Sequence, residues 1–391
     1  MVLPGLSRRT CWDARTNRWS ALRAERERRG DALLDLTSSN PTLVGLEVPP
    51  EILQSLADPR AAVYEPHPLG IPSARQAIAA LHGGGVDAER IVLTASTSEA
   101  YSFLFKLLTD PGDSVLIPRP GYPLFDFLGG LESVKLLDYA LDRDDDWSLD
   151  LDELESRGVE NTRAVVLVNP GNPSGIYLKE SEWGRLQELC RCRGWAVIAD
   201  EVFSPYAMAP DPHRVECAAA QASVLTFSLG GLSKWAGLPQ LKLGWIRVGG
   251  PEVLVEQALR RLEVIADTYL SVSTPVQWAL PRLLAAGADV QQSIRRRVQA
   301  NRDLVTAQTA GSPCRLMLSE GGWSGVLHVP ALQSSEEWAL ELLAHEGVLV
   351  HPGYFYDFPR EAFLVLSLLP RQAVFAEGLR RLVARIHETS A

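Results

Sequence analysis

AVVLVNPGNPSG, residues 164–175, and WAVIADEV, residues 195–202, decide the fold. Each opens as a short apolar run of the kind a strand buried on both faces requires, and each stops abruptly at strand-breaking or charged residues. In the first the break is a loop of two prolines and two glycines; in the second it is Asp200-Glu201. Between them SEWGRLQELCRCRG (181–194) reads as a helix opened by Ser181 and closed by Gly194. Strand, helix and strand in that order imply parallel pairing with the helix on one face.

The same alternation extends in both directions. RIVLTAS (90–96), SVLIP (114–118), SVKLLDYAL (133–141), VLTFSL (224–229) and LKLGWIRV (241–248) read as further strands, and 97–110 as a helix. The expected fold class is α/β, a three-layer αβα unit with a mostly parallel sheet, plus a smaller α+β unit. After Pro251 the texture changes to long helical patterns at 251–266 and 276–309, short strands near 325–329, 347–350 and 363–368, and a last helix at 373–386. The division expected is a segment over 1–45 that packs on the small domain or a partner subunit, a large domain over 46–265, and a small domain with its connecting helix over 266–391. The first segment carries a helix near 17–29, rich in Arg and Glu.

Composition narrows the function. Of 391 residues 46% are apolar and 22% charged, and 38 basic against 48 acidic side chains leave a net charge of −10. That balance excludes a nucleic-acid binder, whose affinity comes from clustered Lys and Arg. No apolar run approaches the roughly 20 residues that span a bilayer, so no membrane partner and a cytoplasmic location are expected. Five cysteines fit reduced thiols better than a disulfide framework. No metal is expected. Asp142, Asp144, Asp146, Asp150 and Glu153 have calcium-loop spacing, but Trp147 stands where that loop needs glycine.

In open α/β sheets ligands lie beyond the carboxyl ends of the strands. A lysine there, Lys234, can be partly desolvated into a nucleophilic amine able to form a Schiff base, although a lone lysine is more often solvated. Asp200 ends an apolar strand, where an acid is costly unless paired; a protonated heterocyclic nitrogen would pair it, as would an ordinary cap or ion pair. Asn172 could donate to a phenolate oxygen or simply complete a turn. Ser96, Thr97 and Ser98 open a helix, which makes either a phosphate cradle or a plain cap with Glu99. Tyr122, between Pro120 and Pro123, could stack on a flat ring or fill the core.

In their order along the chain these residues resemble the class I/II aminotransferases, fold type I enzymes that use pyridoxal 5′-phosphate. The resemblance covers the chain from Leu36 to the last helix and rests chiefly on Asn169-Pro170-Gly171-Asn172-Pro173-Ser174-Gly175 and Ser233-Lys234. It implies that Lys234 carries the cofactor, that Asp200 pairs with its ring nitrogen, that Asn172 donates to the ring's 3-oxygen, and that Tyr122 stacks on the ring. It further implies that Ser96, Thr97 and Ser98 hold the phosphate, and that Tyr64 reaches the phosphate of the neighbouring subunit in a homodimer with shared active sites. Asn40, Trp323 and Asn172 would line the substrate pocket.

Four positions depart from the family's pattern. Phe203 stands where a tyrosine usually supports the 3-oxygen, Gly231 where a serine often precedes the lysine, and Lys242 where an arginine usually clamps the phosphate. Val365 occupies the place of the arginine that grips the substrate's carboxylate. Either another cation, such as Arg119, Arg360 or Arg371, takes over, or the substrate is not an α-amino acid held in that way. The reaction expected is ping-pong transamination through Lys234, from an amino-acid-like donor to a keto acid or aldehyde. A β-eliminating lyase, decarboxylase or oxidase on the same scaffold, or a cofactor-binding regulatory module, are the alternatives.

Overall fold

The structure is a computed structural model that describes residues 5–13, 15–81, 85–141 and 147–390; Asp142, Asp144 and Asp146 of the calcium-like spacing lie outside the described residues. Seven strands form the main sheet: β1 (Ile91–Thr94), β2 (Ser114–Arg119), β3 (Lys135–Ala140), β4 (Thr162–Val168), β5 (Ala196–Asp200), β6 (Thr226–Gly231) and β7 (Gly244–Gly249). Their spatial order is β1-β7-β6-β5-β4-β2-β3. All pairings are parallel except those of β7, which runs antiparallel to both β1 and β6. Strands β1, β5, β6 and β7 are buried at every position, as sheets covered by helices on both faces must be.

Register places the site. Val168, Asp200 and Leu229 lie side by side at the carboxyl ends of β4, β5 and β6. The loop after β4, the acid ending β5 and the turn leading to Lys234 therefore emerge at one edge. Gly244 stands opposite both Thr94 and Gly231, which brings the start of β7 beside the turn after β1. A Cβ on Gly244 would lie 3.1 Å from the Ser96 carbonyl carbon, so glycine permits this approach. Gly231 has the same reason: a Cβ there would sit 3.3 Å from Gly244 Cα and from the Leu243 carbonyl, leaving little room for the usual serine. Residues 241–243, read above as the start of a strand, instead form a turn in which Lys242 is left-handed, with φ 50°.

The smaller unit has a four-stranded sheet of β8 (Arg315–Leu316), β9 (Ser324–His328), β10 (His351–Pro352) and β11 (Phe363–Ser367), all antiparallel and ordered β10-β11-β9-β8. Helices Glu252–Tyr269 and Thr274–Thr309 connect the two units, and Gln372–Ser390 closes the chain. The N-terminal helix α1 (Arg18–Arg29) buries Trp19 against His351 and Phe355, and Arg26 donates to the carbonyls of Leu343 and Ala344. The residues ahead of it go elsewhere: Trp12 packs edge-on against Phe127 and Arg9 donates to the Leu131 carbonyl, on helix Phe125–Glu132 of the large unit.

Candidate active site

Helix α2 (Thr97–Leu108) begins at the phosphate-like turn. Ser96 accepts from the Glu99 amide at 3.2 Å, while the Glu99 carboxylate accepts from the Ala95 amide at 2.6 Å, so the first turn is tied down from both sides. Ser96, Thr97 and Ser98 of this terminus border a cavity of about 450 Å3. Ser96, Thr97, Ser98, Tyr122, Asn172, Asp200, Lys234, Lys242 and Trp323 all line that cavity.

Lys234 sits in the short helix Leu232–Trp235 directly after β6. The Tyr206 hydroxyl donates to its carbonyl at 2.5 Å and Gln291 donates to the next carbonyl, that of Trp235, at 2.9 Å, so neighbouring elements hold the turn in place. Its amine lies 4.8 Å from the Trp323 ring centroid and 5.4 Å from that of Phe203. Burial pulls its pKa down to about 8, against the opposing pull of the Asp200 charge. Asp200 is buried at the cavity floor, where its carboxylate accepts from Tyr101 Oη at 3.1 Å and from the Val202 amide at 3.2 Å. Burial raises its pKa to about 6, with those hydrogen bonds and Lys234 opposing the rise.

The next residue points the other way. Glu201 meets Arg247 at 3.1 Å, both fully enclosed, and also accepts from the Ala218 amide and the Ser228 hydroxyl. Successive strand residues alternate sides, so Asp200 and Glu201 anchor the strand end on opposite faces.

Asn40 is not among the residues that line the cavity, and Tyr64, expected to serve the neighbouring subunit, lies away from the cavity of its own chain. Asn40 is exposed, and its side-chain oxygen accepts from the Thr42 amide and hydroxyl; its neighbour Ser39 lines the cavity instead. Tyr64 is 76% exposed and borders a separate surface depression with His67 and Gln277. None of the three candidate arginines is among the residues that line the cavity. Arg119 is engaged by Asp126, Asp138 and Asp357, Arg360 lies over the Phe363 ring, and Arg371 is packed against Gly45.

Sequence reasoning missed Tyr101, Tyr356 and Ser324, while of the Ser39-Asn40-Pro41 turn it is Ser39 that lines the cavity. Tyr101 had a findable signal: on α2 it lies a turn beyond Thr97, on the stripe that buries Phe105.

The donor set fits pyridoxal phosphate. A partly buried amine of lowered pKa and a buried carboxylate share one cavity. An aromatic side chain, Tyr122, borders it, and at the opposite end the cavity meets a helix N-terminus, three hydroxyl side chains and the Lys242 ammonium, the chemistry a phosphate dianion requires. The glycine at 244 keeps that end open.

A family model described as Aminotransferase class I and II matches residues 31–381. The chain is 27% identical over 376 residues to the glutamate-pyruvate aminotransferase AlaA of Haemophilus influenzae, covering 93% of this chain and 92% of that protein. It is 26% identical over 373 residues to the alanine aminotransferase of Mycobacterium tuberculosis, covering 92% and 86%. Among solved structures, an aminotransferase from Escherichia coli superposes with a TM-score of 0.86 at 25% identity, over 97% of this chain and 98% of that one. For the alanine aminotransferase of Pyrococcus furiosus the TM-score is 0.84 at 22% identity, over 96% and 100%, a likeness of fold.

Proposed function

The chain belongs to the class I and II aminotransferases, enzymes dependent on pyridoxal phosphate, and we propose that it works in two half-reactions through Lys234 without an arginine at the substrate's carboxylate. In each half-reaction an amino group passes between a small-molecule donor or acceptor and the enzyme. The observation that carries this reading is the enclosure of Lys234 and Asp200 in the same cavity as the α2 terminus.

When bound, pyridoxal phosphate supplies an electron sink for negative charge developing on the substrate carbon beside nitrogen. The chain's residues divide the remaining tasks. Asp200 would hold a ring N–H through a charge-assisted bond, and Tyr101 keeps the carboxylate oriented. Asn172 would donate to the 3-oxygen; Phe203 contributes no hydroxyl there. Ser96, Thr97, Ser98 and Lys242 would hold the phosphate. Lys234, with a pKa near 8, can take a proton from the substrate carbon and return it at an adjacent position. Trp323 and Phe203 shield that amine from water.

We further propose a homodimer in which Tyr64, exposed and remote from its own cavity, reaches the partner's phosphate. The test of the reading is borohydride reduction of the loaded protein followed by peptide mapping. A pyridoxyl group on Lys234, absent from Lys234→Ala, is expected, together with loss of the aldehyde-form absorbance when an amino donor is added. Release of ammonia without any acceptor would instead indicate elimination and overturn transamination.

A further inference from the structure

The cavity contains two cations, and both have other work. Lys242 lies at the phosphate end, two residues from Gly244 and its contact with Ser96, and Lys234 is the reacting amine. No arginine lines the cavity among the described residues. The cavity's lining also includes Tyr356 and the packed ring pair Phe203 and Trp323, with the serines Ser39 and Ser324.

What lies behind Tyr356 is apolar. Val365, 1% exposed, is buried in a cluster with Trp147, Met317, Val326 and Phe363, against which Tyr356 packs. Across the sheet Val365 is in register with His351, and His351 Nδ1 stands 3.3 Å from the Tyr356 hydroxyl. Both members of this pair stay uncharged at neutral pH: burial takes His351 down to about 4 and Tyr356 up to about 12. The charged groups around His351 are Asp35 and Arg23, which oppose each other. A carboxylate set against these residues would lose its hydration and gain no counter-charge from the described residues of its own chain.

Resting on the transaminase reading above, we propose that one of the two substrates is a primary amine with no free carboxylate on the reacting carbon. In its place the amine carries an uncharged, largely apolar group seated against Tyr356 and Trp323. Its product is the matching aldehyde or ketone. The donor carbon loses two electrons and a proton, the proton passing by way of Lys234; the nitrogen stays on the cofactor, which is reduced; and the carbonyl oxygen enters from water. No further oxidant is required.

Matched pairs test this on the loaded enzyme: phenylalanine against 2-phenylethylamine, and leucine against 3-methylbutylamine. Loss of the aldehyde-form absorbance is followed together with trapping of the carbonyl product. The amine of each pair is expected to react with a second-order constant at least about tenfold higher, the size of a discrimination of about 1.4 kcal/mol. An amino acid that reacts as fast as its amine, or faster, overturns the proposal while leaving transamination intact. If neither member of any pair converts the cofactor, the transaminase reading falls with it. Equilibrium binding of unreactive ligands gives a second readout independent of turnover and of any variant's folding. In calorimetry 3-phenylpropanol should bind more tightly than 3-phenylpropanoate, and the reverse order overturns the proposal. Val365→Arg, where it folds, should shift the preference toward the amino acids.

Discussion

The Tyr101 hydroxyl donates to Asp200 Oδ2 at 3.1 Å from inside helix α2, so the helix that presents the phosphate turn also steadies the acid at the other end of the cavity. Tyr101 is itself fully buried and its phenol is pushed well above the ordinary range, so it remains a donor at every working pH.

Removing that donor should leave Asp200 harder to ionise. In the cofactor-free protein Asp200 titrates at about 6 instead of 3.8, so it holds its proton more tightly folded than unfolded. The resulting stability is complete below the unfolded value and is lost as pH rises through the folded one. Relative to Asp200→Asn, the wild type should lose roughly 2 kcal/mol of unfolding free energy between about pH 4 and pH 7. In Tyr101→Phe the loss should move to higher pH, and the loaded variant should show an altered pH dependence of cofactor absorbance. Denaturant titrations across that range check the first statement, and superimposable wild-type and Tyr101→Phe profiles would refute the second.

Lys234 should govern how the empty protein takes up cofactor. Its amine is nucleophilic only when neutral, and its pKa is drawn from 10.5 to about 8. The rate of reconstitution with pyridoxal phosphate should therefore climb with pH and level off above a midpoint near 8. Stopped-flow absorbance gives the profile. A midpoint near the ordinary lysine value would show that the amine is not desolvated as the structure has it.

In the proposed reading Lys242, which lines the cavity, supplies the formal charge at the phosphate. Lys242→Ala should raise the dissociation constant for pyridoxal phosphate roughly ten- to hundredfold, the worth of one hydrogen bond to a charged group. Equilibrium dialysis of the alanine variant with pyridoxal phosphate, and with phosphate-free pyridoxal as control, checks it. Equal weakening of both ligands would place Lys242 away from the phosphate.

Tyr64 tests the shared site. Sedimentation should return twice the chain mass of 42.9 kDa, and Tyr64→Phe should weaken cofactor binding without lowering thermal stability, since the side chain is exposed in the isolated chain. A monomer with full cofactor affinity would rule out this arrangement.

Asp200 stood out because it ends a buried apolar strand, where only a ligand, a cap or an ion pair can account for an acid, and Asn172 and Lys234 because they lie in the loop and the turn just beyond such strands. Tyr101 and Tyr356 did not, because an aromatic on a helix or in a turn reads as core until its hydroxyl's partner is known. In the Ser39-Asn40-Pro41 turn the two side chains divide for a local reason: the Asn40 amide oxygen accepts from its own turn at Thr42, while Ser39 lines the cavity. Lys242 sat in a run that reads as strand, whereas it follows the turn Pro239–Leu241 with a left-handed backbone that an apolar run does not announce.

Glu201 and Arg247 form a staple behind the site. If the end of β5 slid toward the ligand, the pair would be pulled apart, and neither partner could be rehydrated where it lies. The position of Asp200 is thus guaranteed by two residues that never meet the substrate. Conservative exchanges at them should be tolerated less well than many changes in the cavity wall.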